Sequence, residues 1–227
     1  MCQLLGLNCN TPTDVSFSFT GFAMRSGLTD HHADGWGIAF FEGTEADRGL
    51  RHFVDHLPAY QSPIARLVRE YPIKSRHVIA HIRKATQGTV ALENTHPFVR
   101  ELWGRYWVFA HNGNLKDFAP RLDRHFRPVG DTDSEYAFCY IMQELDRRFG
   151  GEPSVDELSN ELRRLARRWR RTAPSTSCSR TVWHCGRTAA PICASSSAST
   201  RFATPPCATA MSASTLRNTP SRPTGWR

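Results

Sequence analysis

The order of periodic segments predicts an α+β fold. Candidate strands fill the first half of the chain, and the two longest helical patterns come only after residue 130. The strict strand–helix alternation of a doubly wound sheet is missing. The length of 227 residues suits one domain with an extension.

Each element has a local reason. Gln3–Asn8 reads as a first strand, Gly35–Phe41 (GWGIAFF) as a short buried one, and Leu50–Val54 as another. Ser62–Glu70 is expected to be a short helix, with Ser62 ahead of Pro63 and Ile64, Leu67 and Val68 on one face. His77–Ile82 and Tyr106–Ala110 are strands by β-branched and aromatic content. Thr132–Arg148 is the clearest helix: Thr132 and Glu135 have capping-box spacing, and Phe138, Ile141 and Leu145 recur at helical intervals. Ser154 and Glu157 repeat the box and start a helix through Leu158, Leu162 and Leu165. The sequence has no internal repeat.

The net charge of +8 invites a nucleic-acid reading, but it is unevenly placed. Residues 171–227 hold seven Arg and no Lys, Asp or Glu, so nearly all the excess lies there. In that stretch 35 of 57 residues are Ser, Thr, Ala or Pro, and only three are Val, Ile or Leu, too few to offset the entropy of ordering. The tail also carries no RNA-binding motif, which argues against a nucleic-acid partner beyond non-specific binding. No apolar run approaches the roughly 18 residues of a membrane span, and no signal peptide is readable, so the cytoplasm is the expected location. The seven cysteines include no CxxC pair, and zinc spacing is absent. His31, His32 and His96 read as structural or turn histidines, and no metal or organic cofactor is expected.

Four signals carry chemistry. Cys2, once Met1 is removed, joins a thiol and a free α-amine in one residue; an amine with a pKa of about 7.7–8.0 can take the thiol proton. The plain alternative is a small residue in a strand. Arg83 closes the apolar run before Lys84-Ala85-Thr86-Gln87-Gly88, where its planar fork can meet a carboxylate, unless it is only a solvated loop residue. Asn112-Gly113 is a turn signal that can also supply a side-chain amide and an unobstructed backbone N–H to an oxyanion. Asp133 stands in the first turn of its helix, where the dipole alone favours a carboxylate; alternatively it holds a substrate ammonium.

Taken in order, MCQLLGLN, DGWGIAFF, AHIRKATQG, ENTHPF, AHNGNL and DTDSEYAF resemble the class II glutamine amidotransferases, which are N-terminal-nucleophile hydrolases. The likeness is to the stand-alone bacterial type and spans residues 2–165. It implies a four-layer α-β-β-α sandwich of two antiparallel sheets, incomplete at the C-terminus. It implies that Cys2 attacks the glutamine γ-amide, that Asn112 and Gly113 form the oxyanion hole, and that Arg83 and Asp133 hold the α-carboxylate and α-ammonium. Thr86 matches a polar position beside the substrate arginine, and Arg25 a site-shaping one. The implied substrate is glutamine or a γ-glutamyl compound, and the ammonia goes either to a separate accepting subunit or to water. A γ-glutamyl amide hydrolase is the enzyme alternative; a non-functional product or a non-specific nucleic-acid binder is the alternative of another class.

Residues 166–227 depart from that resemblance, and the arginine cluster Arg163–Arg171 (RRLARRWRR) spans the change. Back-translation with free codon choice lets residues 173–189, read one base earlier, encode GTFNFLLSD and then GVALWAHC, which are strand-like. The tail is therefore expected to be disordered or out of frame. The sandwich is expected to lose strands, expose apolar surface and fold weakly.

Overall fold

Two antiparallel sheets stack face to face, and a pair of helices covers the outside of each. The computed structural model describes residues 2–29, 31–43, 49–115, 118–123, 125–172, 180–185 and 208–211. In chain order the elements are β1 (Gln3–Asp14), α1 (Ser16–Ala23), β2 (Trp36–Glu42), β3 (Gly49–Asp55), α2 (Pro63–Glu70) and β4 (Lys74–Ile82). They continue with β5 (Phe98–Leu102), β6 (Arg105–Asn112), α3 (Asp133–Arg148), α4 (Val155–Thr172), β7 (Arg180–Cys185) and β8 (Ala208–Met211). One sheet has the order β3-β2-β4-β1-β8 and the other β5-β6-β7.

Three apolar layers hold the four structural layers together. Strands expose alternate side chains to opposite faces, so one strand can serve two cores. Leu5, Leu7, Ile38, Phe40, Val78 and Ala80 turn outward and bury Phe19, Phe22, Ala65 and Val68 of α1 and α2. Their neighbours Leu4, Ala39, Phe41 and Ile79 turn inward and meet Val108 and Ala110 of β6. The far face of β5 and β6, through Phe98, Trp107 and Phe109, packs on Phe138, Ile141, Met142 and Leu145 of α3 and on Leu162 and Leu165 of α4. This is the α+β, α-β-β-α arrangement expected from the sequence.

The helices begin where the sequence places them. Ser62 accepts a hydrogen bond from Ala65 N at the start of α2, with Pro63 at the first helical position. Thr132 does the same for Glu135 N at the start of α3. Before the tail, one helix and one strand were not anticipated. Ser16–Ala23 (SFSFTGFA) alternates Ser and Phe as a strand would, yet it is helical, and Phe19 lies against Trp36 with ring centroids 5.6 Å apart. Phe98–Leu102 forms β5, pairing with β6 from Phe98↔Phe109 to Leu102↔Arg105.

Gly37 of β2 lies against the segment that leads into β5, where a Cβ would lie 2.3 Å from the carbonyl oxygen of His96. A side chain cannot be accommodated there, which is a packing reason for glycine inside a strand.

Most of the tail expectation lies outside the described residues. Within it, α4 continues to Thr172, Arg180–Cys185 pairs with β6, and Ala208–Met211 pairs with β1. Composition predicts disorder for the tail as a whole, but these two stretches are strands. Thr181, Val182 and Trp183 give the first of them local β propensity. Among the described residues no helix is long and apolar enough to cross a membrane.

Candidate functional site

The start of β1, the end of β4, the end of β6 and the first turn of α3 converge at one end of the sandwich. Cys2 precedes β1, and Gln3 pairs with Ile82, so the β1–β4 ladder sets Cys2 beside Arg83 and Lys84. The Cys2 thiol lies 3.4 Å from the Lys84 carbonyl oxygen and accepts from Lys84 N at 3.3 Å. From the second sheet, Asn112 Nδ2 donates to the Cys2 carbonyl oxygen at 2.7 Å. Burial pushes the Cys2 thiol pKa up; the Lys84 N–H and the Arg83 charge pull the other way. Asn112 Oδ1 is buried and has no partner among the described residues.

Arg83 is buried, and its guanidinium organises the loop that follows it. Nη1 donates to Thr89 O at 2.7 Å, and Nη2 to Gln87 O at 3.0 Å and Gly88 O at 3.3 Å. A guanidinium has five N–H donors, so two are left for a ligand carboxylate. Gly88 turns this loop with φ +76°. The other side of the loop is tied to Asp34, whose Oδ2 accepts from Ala85 N at 2.7 Å, and to Asn114, whose Oδ1 accepts from Gln87 Nε2 at 2.7 Å.

Asp133 opens α3. Its Oδ2 accepts from Leu115 N at 2.6 Å, and its Oδ1 from Ser134 Oγ at 3.2 Å. These bonds fasten the helix to the loop after Gly113. Ser134 Oγ also sits 2.9 Å from His111 Nδ1. Ser134 Oγ thus links the His111 imidazole to the Asp133 carboxylate.

Beneath these residues lie three buried histidines. The rings of His81 and His96 are 4.3 Å apart. Burial first, and then neighbouring positive groups, lower the pKa of His81 to about 3 and that of His96 well below its ordinary value. Burial likewise lowers His111 to about 4, while Asp133 opposes the shift. The layer is therefore uncharged at neutral pH. Among the described residues, no three His, Cys, Asp or Glu converge as a metal site.

The structure thus joins Cys2 to Asn112 directly and sets it beside Arg83, while Asp133 is tied to Leu115, two residues after Gly113. Thr86 is exposed on the loop between Arg83 and Gly88. Arg25 follows α1, and its side chain makes no hydrogen bond or ion pair among the described residues; only its backbone is engaged, through Phe22 O and Gly27 N. Sequence reasoning assigned no role to Asp34, Asn94, Gln87 or Asn114, although DGWG, ENTHPF, ATQG and HNGN contain them. A cleft of about 460 Å³ lined by Arg121, Leu122, Asp123, Arg127 and Arg147 includes none of the site residues.

The four-layer fold, with a cysteine at the head of an inner strand and an asparagine from the facing sheet on its carbonyl, defines an N-terminal-nucleophile type of architecture. Comparison with known proteins gives the family. The family model for class-II glutamine amidotransferases matches residues 1–176, and the chain belongs to that family. It is 57% identical over 167 residues to a Haemophilus influenzae protein named as a candidate glutamine amidotransferase, covering 74% of this chain and 55% of that one. It is 52% identical over 171 residues to the similarly named YafJ of Escherichia coli, covering 72% and 66%. A 2.0 Å crystal structure described as a predicted glutamine amidotransferase from Pseudomonas aeruginosa superposes with a TM-score of 0.59 at 40% identity, covering 81% of this chain and 69% of that one. The matched region spans between half and two thirds of the length of the curated relatives.

Proposed function

We propose that residues 2–165 form a glutamine amidohydrolase domain that releases ammonia from the glutamine side chain through a Cys2 thioester. The observation that carries the reading is the hold on Cys2: its thiol rests on the Lys84 backbone next to Arg83, and its carbonyl oxygen accepts from Asn112 of the facing sheet.

With Met1 removed, the freed α-amine takes the thiol proton and the thiolate attacks the γ-carbonyl carbon. The oxyanion that forms is received by Asn112 Nδ2 and Gly113 N. The C–N bond breaks, the α-ammonium returns the proton to the leaving nitrogen, and ammonia departs. Water then attacks the thioester, releasing glutamate and restoring the thiol. The two unused donors of Arg83 hold the substrate α-carboxylate. The free lone pairs of Asp133 hold its α-ammonium. Thr86 borders the bound amino acid. Among the described residues Arg25 has no side-chain hydrogen bond or ion pair, and its site-shaping role rests on the family resemblance alone.

The domain is proposed to act in the cytoplasm and to supply ammonia to a separate subunit. The chain is proposed to leave its frame somewhere near residues 163–172, which the coding DNA across residues 160–227 decides. Arg83 and Asp133 read only the glutamyl end, so larger γ-glutamyl amides are the second reading; amine release from γ-glutamyl peptides tests it.

The main experiment is ammonia release from glutamine, with mass spectrometry of the N-terminus. Cys2→Ala is expected to abolish release, and chains retaining Met1 to be inactive. Unchanged release by Cys2→Ala sinks the assignment.

A further inference from the structure

We infer that Asn94 is a positioning residue that sets the spacing between the two charged ends of the substrate grip; this rests on the glutaminase reading above. Asn94 lies in the ENTHPF stretch, ends a short 3₁₀ turn (Leu92–Asn94), and is 1% exposed. It contacts neither Cys2 nor the proposed substrate groups, yet every polar atom of its side chain is committed. Oδ1 accepts from Asp131 N at 2.9 Å. Nδ2 donates to Asp131 Oδ1 at 2.5 Å and lies 3.1 Å from Thr89 O and 3.2 Å from Thr89 Oγ1. An amide NH₂ has two hydrogens, so one goes to Asp131 and the other is shared across Thr89.

These partners belong to the two halves of the grip. Thr89 O is also the acceptor of Arg83 Nη1, at 2.7 Å. Asp131 stands two residues before Asp133, and its Oδ1 also accepts from Thr89 N at 3.3 Å. The carboxylate holder and the ammonium holder are therefore joined by Arg83–Thr89–Asn94–Asp131, a bridge between segments 37 residues apart at its centre.

Two glycines allow the bridge to close. A Cβ on Gly130 would lie 2.0 Å from Asn94 Oδ1, and one on Gly88 would lie 2.6 Å from Asp131 Oδ1. Buried polar groups with all partners satisfied fix one geometry, and loss of one leaves the others unpaired. The geometry fixed here is the separation of the groups that read the α-carboxylate and the α-ammonium. Chemistry at the γ-amide, on Cys2 and Asn112, is not in the bridge.

The experiment compares the full chain with Asn94→Ala in steady-state ammonia release from glutamine and from glutaramate, which is glutamine without its α-amine. The expected result is a KM for glutamine raised about tenfold or more with kcat changed less than about threefold, because uniform binding is lost. The preference for glutamine over glutaramate falls with it. A purely structural role lowers the active fraction and the melting temperature but leaves KM and the preference unchanged, and that outcome overturns the inference. Asp131→Ala breaks the bridge from its exposed side and is read in the same way if Asn94→Ala does not fold. A wild-type chain that releases no ammonia sinks the glutaminase reading itself; a wild-type chain that does so, with KM unmoved in both variants, sinks only the role of Asn94.

Discussion

Helices α3 and α4 start from the same local code, a hydroxyl residue followed three positions later by glutamate, and use it differently. At α4 the box closes on itself: Glu157 Oε2 accepts from Ser154 N at 2.9 Å and from Ser154 Oγ at 2.6 Å, on an exposed end. At α3 only half the box forms. Thr132 caps Glu135 N, but the Glu135 carboxylate turns away and accepts from Val129 N at 3.1 Å and Gly130 N at 2.8 Å, and it pairs with Arg100. Glu135 is 1% exposed. The difference teaches that a capping sequence specifies where a helix begins, while burial decides what the glutamate holds. At α3 it holds the loop that leads into Asp131 and Asp133.

The largest test of this contrast is Glu135→Ala against Glu157→Ala. Removing Glu135 leaves Arg100 without its ion pair and two loop N–H groups without acceptors, with an expected cost of about 3 kcal/mol. Removing Glu157 is expected to leave the urea midpoint nearly where it was. Equal shifts would end the distinction.

Next in size are the hydroxyls. Thr132→Ala is expected to cost about 1 kcal/mol and Ser154→Ala about half as much, because the second cap is open to water. Urea unfolding of both single variants and the double variant checks the order and the additivity.

The smallest effects are in pH. His111 touches the first turn of α3, and its folded pKa is about 4, below the ordinary 6.5. The unfolded chain therefore binds the proton more readily, and the contribution of neutral His111 is full above about 6.5 and lost as pH falls toward about 4. Glu157 is held below its ordinary 4.5 by the Ser154 hydroxyl and N–H. Its contribution is present above 4.5 and lost only as pH falls through the lower folded value. As pH falls from 7, the melting-temperature difference between His111→Asn and the parent is expected to change first, below about 6.5, and the small offset of Glu157→Gln to close only below 4.5; the reverse order contradicts the assignment of a neutral imidazole beside α3.

The strands with dense β-branched or aromatic runs, namely β2, β4 and β6, were legible in the sequence, as were the three helices with capping residues. Two elements were hidden for physical reasons. α1 has strand-like alternation and is helical because Phe19 and Phe22 meet the outer face of the sheet, a tertiary contact that overrides local pattern. β5 is five residues long and gains its identity from β6. At the site, the sequence singles out Cys2, Arg83, Asn112 and Asp133 because their motifs stand in the order of a known family, and their roles are those proposed above. Asn94 was not, because its meaning lies in bonds to residues 89 and 131, and no spacing rule connects them.

The contact at Gly37 has a mechanical consequence. Cys2 and Arg83 ride on one sheet, and Asn112 rides on the other. On the proposed reaction, the bare backbone of Gly37 against His96 O is a fulcrum for the two arms that meet around one carbonyl carbon. A methyl group at this point is expected to act as a shim, prying the arms apart and lengthening the reach from sulfur to the proposed oxyanion hole without touching any reacting atom.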